Sequence, residues 1–311
     1  MNLPAKYSRQ CWNDLLWMAR ALSLVDRDHC EQHDVQVFGD IFRHTIDKLS
    51  ADPPEQMGIA WSDFLSSLTQ RRVGRYFERL VQFFLEHVAQ VDLLAAGKQI
   101  QHNGRTIGEI DFLFEDAAGQ VCHLETAVKF FLRQPKMPVD GSLLPGPNPT
   151  DNFEAKLTRL FQHQLPLSRR LPLNVTRRTI HWVGIIFEPL DADRGQTHCS
   201  INVPGLSKNH HSGLWLKSDQ ISRLQELCST ADNRMVLRSK PFWLGDILPG
   251  SASREEIPSV AQSIAELERH FEQSNRPIMA SVLSTPDERS RIAFQETSRV
   301  VIVPSKWPDG H

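Results

Sequence analysis

The chain has 311 residues, of which 40% are hydrophobic and 23% are charged, and its formal net charge is −2. This length suits one large domain or two of ordinary size, and the composition is that of a chain that buries a core. The near balance of charge excludes a disordered acidic or basic chain, and it gives no general attraction to nucleic acid. Any binding of nucleic acid must therefore come from a local cluster of basic residues.

The N-terminus and the cysteines predict a cytoplasmic protein. The first residues lack the apolar stretch of a signal peptide. No run of about 18 apolar residues predicts a membrane span, so no membrane partner is expected. The five cysteines are widely spread and form no C-x-x-C pair, so we expect neither a disulfide framework nor a zinc site made of thiolates.

Hydrophobic periodicity predicts an order of elements that is typical of an α/β fold. Up to residue 195, the predicted elements are a helix at 7–24, a helix at 69–90, strands at 107–114 and 121–132, a helix at 152–165 and a strand at 179–187. Later elements are helices at 218–229 and 258–273 and strands near 234–238 and 299–303. This order favours a mixed central sheet flanked by helices. We divide the chain into an N-terminal helical segment (1–68), an α/β core (69–195) and a C-terminal elaboration (196–311).

The two predicted strands at 107–114 and 121–132 carry the residues best suited to chemistry. The turn between them has the composition of a hairpin, and its register places Asp111 opposite Glu125. The same register places Glu109 opposite Ala127, with Lys129 diagonal to Glu109. Opposed carboxylates repel unless one is protonated, water screens both, or a cation lies between them. The pattern therefore fits either a site for a hard cation such as Mg²⁺ or an ordinary solvated face.

These residues resemble the core of a known superfamily. A helix with Gly74 and Glu78, a strand with Gly108-Glu109-Ile110-Asp111, and a strand with Glu125 and a lysine are similar to the PD-(D/E)XK nucleases. The resemblance covers about residues 70–187 and implies a restriction-endonuclease-like core that cleaves phosphodiester bonds, in DNA or less readily RNA, with Mg²⁺ or Mn²⁺. It implies Asp111 and Glu125 as metal ligands. Glu78 would assist through the metal or a water molecule.

One position departs from the superfamily pattern. A lysine is expected two residues after the second acid, and this position is Ala127. Lys129 lies two residues further along the same strand face, and Lys156 on the following predicted helix is the alternative. Either lysine would position the attacking water. Ala127 also favours a second hypothesis, a catalytically degenerate copy that binds nucleic acid or a protein partner, and an assembly protein is a third.

The predicted helix at 152–165 has a basic face. Lys156, Arg159 and His163 share this face at spacings of three and four residues, and Gln164 follows as a core-edge amide or a site residue. Between residues 133 and 180, eight basic residues stand against three acidic ones, a local balance of +5. Lysine and arginine make most contacts to phosphate. We therefore predict that Lys156, Arg159, His163 and Gln164 bind nucleic acid, although a solvated basic helix has the same pattern.

A closer resemblance covers most of the chain. The chain resembles the family catalogued as domain of unknown function 1853. The residues that carry this resemblance are 74–78, 125–130, 146–151, 156, 163–165, and a late strand that ends at Pro304 before Trp307 and Pro308. This family implies no assigned activity.

Overall fold

The structure is a computed structural model, and it describes residues 7–69, 71–134, 142–190, 203–228, 233–248, 256–285 and 294–309. Its α-helices are α1 (Ser8–Arg20), α2 (Arg27–Gln32), α3 (Phe38–Ile41), α4 (Arg43–Asp47), α5 (Gly58–Ser67), α6 (Val73–Phe83), α7 (Phe153–Arg159), α8 (Leu224–Leu227) and α9 (Val260–Gln273). Two π turns follow α6 and α7, at Phe84–Val88 and Leu160–Gln164. Short 3₁₀ helices lie at Glu55–Met57, Leu165–Arg170 and Ser218–Arg223.

The described strands form one mixed sheet, which confirms the predicted α/β class. They are β1 (Gln36–Val37), β2 (Asp92–His102), β3 (Arg105–Glu115), β4 (Val121–Leu132), β5 (Val175–Pro189), β6 (His211–Lys217), β7 (Arg234–Arg238), β8 (Ile278–Ser284) and β9 (Gln295–Val303). The strand order is β2-β3-β4-β5-β6-β9-β8-β7, and β1 pairs with β5 in parallel. The sequence patterns do not predict β2, β6 or β8. No helix in the described ranges is long and apolar enough to cross a membrane.

The chain divides into two compact units. The first comprises the described residues of Met1–Lys129, Glu154–Gly184 and Asn202–His211, and the second those of Phe130–Phe153, Ile185–Ile201 and Ser212–His311. The boundaries expected at residues 68 and 195 stay a prediction, and the second of them lies outside the described residues. Lys136, Asp140 and Cys199 lie outside them as well. The other four cysteines are buried free thiols.

Helix α6 supports the first unit through a continuous apolar face. Tyr76, Phe77, Leu80 and Val81 are fully buried along it, as their helical spacing predicts. The helix does not continue in α geometry to residue 90. Instead, the N–H of Ala89 donates to the C=O of Phe84 over 2.8 Å, and this five-residue spacing makes the last turn a π turn.

His181 is a fully buried histidine of the first unit. Its ring stacks on Phe38 at 4.1 Å between ring centres, and its Nε2 lies 3.0 Å from the carbonyl oxygen of Met18. Burial lowers the pKa of His181 to about 3, against the hydrogen bond to Met18. The imidazole is therefore neutral in the native state at neutral pH.

Acid should destabilise the protein through His181. Between pH 6.5 and 3 the unfolded chain binds a proton that the native ring refuses, so the free energy of unfolding falls as the pH falls. We expect a loss of about 2 kcal/mol between pH 6.5 and 5 from this ring, measured by urea unfolding. The free energy of unfolding of the wild type relative to that of His181→Gln should therefore fall by about 2 kcal/mol over this range, whereas the exposed control His44→Gln should keep the wild-type dependence. Parallel pH curves for wild type and His181→Gln would contradict this account.

The second unit has its own core and a buried ionic cluster. Helix α9 begins at Val260 because the Ser259 side chain accepts a hydrogen bond from the N–H of Gln262. Its Ile264 and Leu267 pack in a cluster of apolar side chains from β6 to β9. In the ionic cluster the buried side chains of Arg238 and Glu296 are joined over 3.2 Å, and Arg299 also reaches the exposed Asp246 over 2.7 Å.

Candidate functional site

The β3–β4 hairpin brings the two predicted acidic residues together. Phe112 pairs with Leu124 and Glu115 with Val121, which is the predicted register, and one further step places Asp111 opposite Glu125. Beyond Phe112, the Asp111 side chain accepts hydrogen bonds from β4. Its Oδ2 takes the N–H of Thr126 at 2.8 Å and the hydroxyl of Thr126 at 3.1 Å. The Asp111 carboxylate is therefore held against the neighbouring strand.

Glu125 is held at both of its carboxylate oxygens. The side chain is 1% exposed. Its Oε1 lies 2.8 Å from Nε2 of His123, and its Oε2 accepts a hydrogen bond of 2.7 Å from the amide of Gln164. Each carboxylate oxygen has two lone pairs, so these contacts fix the orientation of the group and leave acceptor capacity.

A cleft of about 320 Å³ opens beside Asp111. Glu78 from α6 and Glu109 from β3 line it together with Asp111. Arg75 donates a hydrogen bond of 2.7 Å to Oε2 of Glu78. The structure thus brings Glu78, Glu109 and Asp111 to one cleft, whereas the buried Glu125 is not among the residues that line it.

Burial and like charge make this pair of carboxyl groups hard to ionise. Burial, together with the charges of Glu125 and Glu78, raises the pKa of Asp111 to about 7, against the hydrogen bonds from Thr126. Burial also raises the pKa of Glu125 to about 8, and hydrogen bonds from the Asp111 backbone and Gln164 oppose that shift. A cation in the cleft would lower both pKa values, because it favours the ionised forms.

The oxygen donors fit a hard divalent cation. Mg²⁺ is commonly held by one or two carboxylates and completes its shell with water and phosphate oxygens. In the described ranges, no three acidic, histidine or cysteine side chains converge as a ready-made metal cage. Asp111 and Glu125 would be the two carboxylates of such a site, because Asp111 lines the cleft and hydrogen bonds from Thr126 and Gln164 orient the two groups.

One known protein family matches almost the whole chain. The family model described as a domain of unknown function, DUF1853, matches residues 13–303. This chain belongs to the DUF1853 family. No curated protein and no solved structure matches the DUF1853 chain significantly. Since the family match carries no activity, the function of this DUF1853 protein has to be argued from its site.

His123 is a site residue of the DUF1853 chain that the sequence patterns did not single out. It is fully buried, and burial lowers its pKa to about 4, so the ring is neutral at neutral pH. Its Nδ1 is buried without a hydrogen-bond partner among the described residues. The available signal was its position two residues before Glu125, which puts both side chains on one face of β4. We assign His123 the role of orienting Glu125.

Gln164 reaches Glu125 through an irregular turn. The N–H of Leu165 donates to the C=O of Leu160, which makes residues 160–164 a π turn after α7. The helix predicted at 152–165 is present at 153–164, with its last turn in π rather than α geometry. Gln164 is a site residue rather than a core-edge amide, because its amide donates a hydrogen bond to the Glu125 carboxylate.

The remaining predicted site residues lie at different exposures. Lys129 on β4 and Lys156 on α7 are half-buried, whereas Arg159 and His163 are exposed. The local charge balance of +5 between residues 133 and 180 overstates the basic charge that is free to bind a ligand, because two of the counted arginines are paired with carboxylates. Arg177 is paired with Asp116 at 2.8 Å in the first unit, and Arg133 is paired with Glu188 at 2.8 Å in the second.

A larger cavity of about 680 Å³ in the first unit contains none of the predicted site residues. Four of the five charged residues that line it are paired, since Arg27 contacts Asp40 at 2.5 Å and Arg177 contacts Asp116 at 2.8 Å. The cavity therefore offers little unsatisfied charge to a ligand. We place the candidate site in the smaller, acidic cleft.

Proposed function

We propose that this DUF1853 protein is a metal-dependent nuclease with a PD-(D/E)XK-like core, acting on DNA in preference to RNA. The observation that carries the proposal is the half-buried Asp111, which lines the acidic cleft, next to the buried Glu125. Proteins do not keep two such carboxyl groups together without compensation, because the charged forms repel and are poorly solvated. Perturbed pKa values in a cleft are a mark of functional sites.

In this proposal the chain's own residues hold and orient the reacting groups. Asp111 and Glu125 hold Mg²⁺ or Mn²⁺, with Thr126, His123 and Gln164 fixing their orientation. When bound, the ion supplies polarisation of a phosphoryl oxygen and a water of lowered pKa. Glu78, at the wall of the cleft, orients a water through its second oxygen while Arg75 holds Oε2. Lys129, or Lys156 in its place, supplies positive charge for the water or the phosphate.

Unpaired basic residues support a polyanionic substrate. Among the described residues, Arg71, Arg72 and Lys98 have no ion-pair partner and are exposed. Arg71 and Arg72 directly precede α6, and Lys98 follows Gly97, which lines the cleft. An acidic centre with a cationic margin is the arrangement expected of a site that binds a cation and a phosphodiester together.

Removal of divalent metal should abolish the activity. We expect the full chain to cleave DNA with Mg²⁺ or Mn²⁺ and to leave it intact in EDTA, with activity restored when the ion is added back. Gel analysis of labelled duplex and single-stranded DNA and RNA measures this directly. Cleavage that persists in EDTA, or no cleavage of any of these substrates with either ion, would contradict the proposal.

The second candidate function is a nucleic-acid-binding copy of the same core that has lost catalysis. Ala127 favours it, because the superfamily pattern has a lysine at this position. The same samples distinguish the two functions. Binding of nucleic acid without cleavage in Mg²⁺ or Mn²⁺ is the result expected of the second.

A further inference from the structure

The hairpin formed by β2 and β3 ends in an exposed arm, which we define as residues 98–107. Nine of its ten residues are exposed, and the exception is Ile100, which is buried at its base. Ile100 packs with Ile110, Leu113 and Leu167, so the base of the arm is anchored in the first unit. Beyond this anchor the ribbon continues about 10 Å to its turn, at the usual rise of a strand.

The turn gives the arm a defined, twisted shape. His102 pairs with Arg105, and the two residues between them, Asn103 and Gly104, have φ angles of 50° and 74°. Two consecutive positive φ angles and an Asn-Gly sequence are typical of a type I′ turn, whose twist matches that of the strands. The arm is therefore a two-stranded ribbon of fixed register rather than an irregular loop.

The charge of the arm is of one sign. Between residues 93 and 108 there is no acidic side chain, and the cations are Lys98 and Arg105. Neither forms an ion pair with a residue in the described part of the chain. In the same unit Arg27, Arg75 and Arg177 are each paired with a carboxylate. Free cations on an exposed ribbon are complementary to phosphates.

The arm starts at the edge of the acidic cleft. Gly97, the residue before the arm, lines the cleft together with Glu109 and Asp111. A Cβ atom at Gly97 would lie 3.6 Å from Oε1 of Glu109, so the backbone passes close to the carboxylate there. A polymer held by the arm would therefore continue towards Asp111.

We propose that the arm binds the major groove of double-stranded DNA and that duplex DNA is the substrate class of this site. This inference rests on the proposed function. The major groove of B-form DNA, about 12 Å wide, admits a two-stranded β-ribbon, whereas that of A-form RNA is too narrow and deep for side chains to read. The arm carries no Phe, Tyr or Trp on which single-stranded bases could stack. Its Gln99, Gln101 and Asn103 offer amides for base edges, and Lys98 and Arg105 contact phosphates.

The test is binding in EDTA, where the proposed cleavage is switched off. The probes are a labelled DNA duplex, one of its single strands and an RNA duplex of the same sequence, followed by fluorescence anisotropy over a range of salt concentrations. We expect the full chain to bind the DNA duplex most tightly. The double variant Lys98→Gln, Arg105→Gln should bind this duplex about tenfold more weakly, with a salt slope smaller by about 1.8, which is the loss of two phosphate contacts.

A matched control removes two cations of the same unit away from the arm. Lys48→Gln with Lys208→Gln, both exposed, should leave the salt slope unchanged and the affinity within about twofold. The inference is overturned if the arm variant behaves like this control, if the single strand or the RNA duplex binds as tightly as DNA duplex, or if no DNA duplex is bound. If the arm variant binds duplex DNA like the wild type and its cleavage still requires metal, the proposed role of the arm is wrong and the proposed nuclease activity stands. If the arm binds duplex DNA but no cleavage is seen, the proposed nuclease activity is wrong and the proposed binding role of the arm stands.

Discussion

Asp111→Asn is expected to reduce Mg²⁺-dependent cleavage about 10²- to 10³-fold, the scale of a lost electrostatic catalytic group. Asparagine keeps an oxygen for the N–H of Thr126, so the hairpin should stay intact. It removes one of the two negative charges offered to the cation. The rate is measured under single-turnover conditions, and Glu115→Gln, an exposed carboxylate on the same strand, is the control that should cleave normally. Wild-type rates in Asp111→Asn would exclude Asp111 from catalysis.

The same substitution should make the metal-free protein more stable at pH 8. The pKa of Asp111 is about 7 in the native state, against about 4 in the unfolded chain, so the native state holds the extra proton between these values. The contribution of Asp111 to the stability of the wild type therefore falls as the pH rises from about 4 to about 7 and stays low above that, opposite in sign to the contribution of His181. Removing this group should add about 2 to 4 kcal/mol to the free energy of unfolding at pH 8 and nothing near pH 4.

Urea unfolding at pH 4 and pH 8, with and without Mg²⁺, measures both effects. Mg²⁺ should raise the unfolding midpoint of the wild type at pH 8 and leave that of Asp111→Asn unchanged, because the ion stabilises only a state that binds it. A variant that is more stable and inactive is expected where a protein keeps a costly group for its function. Equal stability of the two proteins at pH 8 would mean that Asp111 is well solvated.

Gly184→Ala should cause the largest loss of stability, about 3 kcal/mol or more. A Cβ atom at Gly184 on β5 would lie 1.8 Å from the carbonyl oxygen of Lys129 on β4. Both sides of this contact are backbone, so no side-chain rotation relieves it, and the strands must separate. Because Lys129 is four residues after Glu125, the shift would also disturb the candidate site.

Gly74→Ala is the matched control for this substitution. Gly74 lies in the first turn of α6, and a Cβ atom there meets nothing within 4 Å. Alanine in a helix is favoured over glycine by about 0.5–1 kcal/mol, so this variant should be slightly more stable than the wild type. The midpoint of urea unfolding compares the two. A small loss for Gly184→Ala would mean that β4 and β5 separate easily.

Sequence reasoning located the hairpin because two independent signals agree there. Alternation identifies the strands, and the turn composition sets their register, so the opposition of Asp111 and Glu125 could be predicted. Strand β2 could not be found in this way. Its Leu93-Leu94-Ala95-Ala96 segment does not alternate, and eight of its eleven residues are exposed. A strand that buries so little surface leaves almost no hydrophobic pattern.

The contacts around Glu125 depend on features that periodicity does not report. His123 is a single residue in a strand, and its role appears only when its ring is found 2.8 Å from a carboxylate. The positive charge between residues 133 and 180 was overestimated for a related reason. Arg177 was counted with the basic residues near it in sequence, but its side chain is paired with Asp116, sixty-one residues earlier. Pairing across the fold cannot be counted from local charge.

The π turn at Leu160–Gln164 makes the site sensitive to the length of a helix as well as to its residues. The N–H of Leu165 reaches back five residues, to the C=O of Leu160, so this turn holds one residue more than an α turn, and Gln164 lies within it. The hydrogen bond of 2.7 Å between Gln164 and Glu125 is thus tied to the spacing between α7 and Leu165.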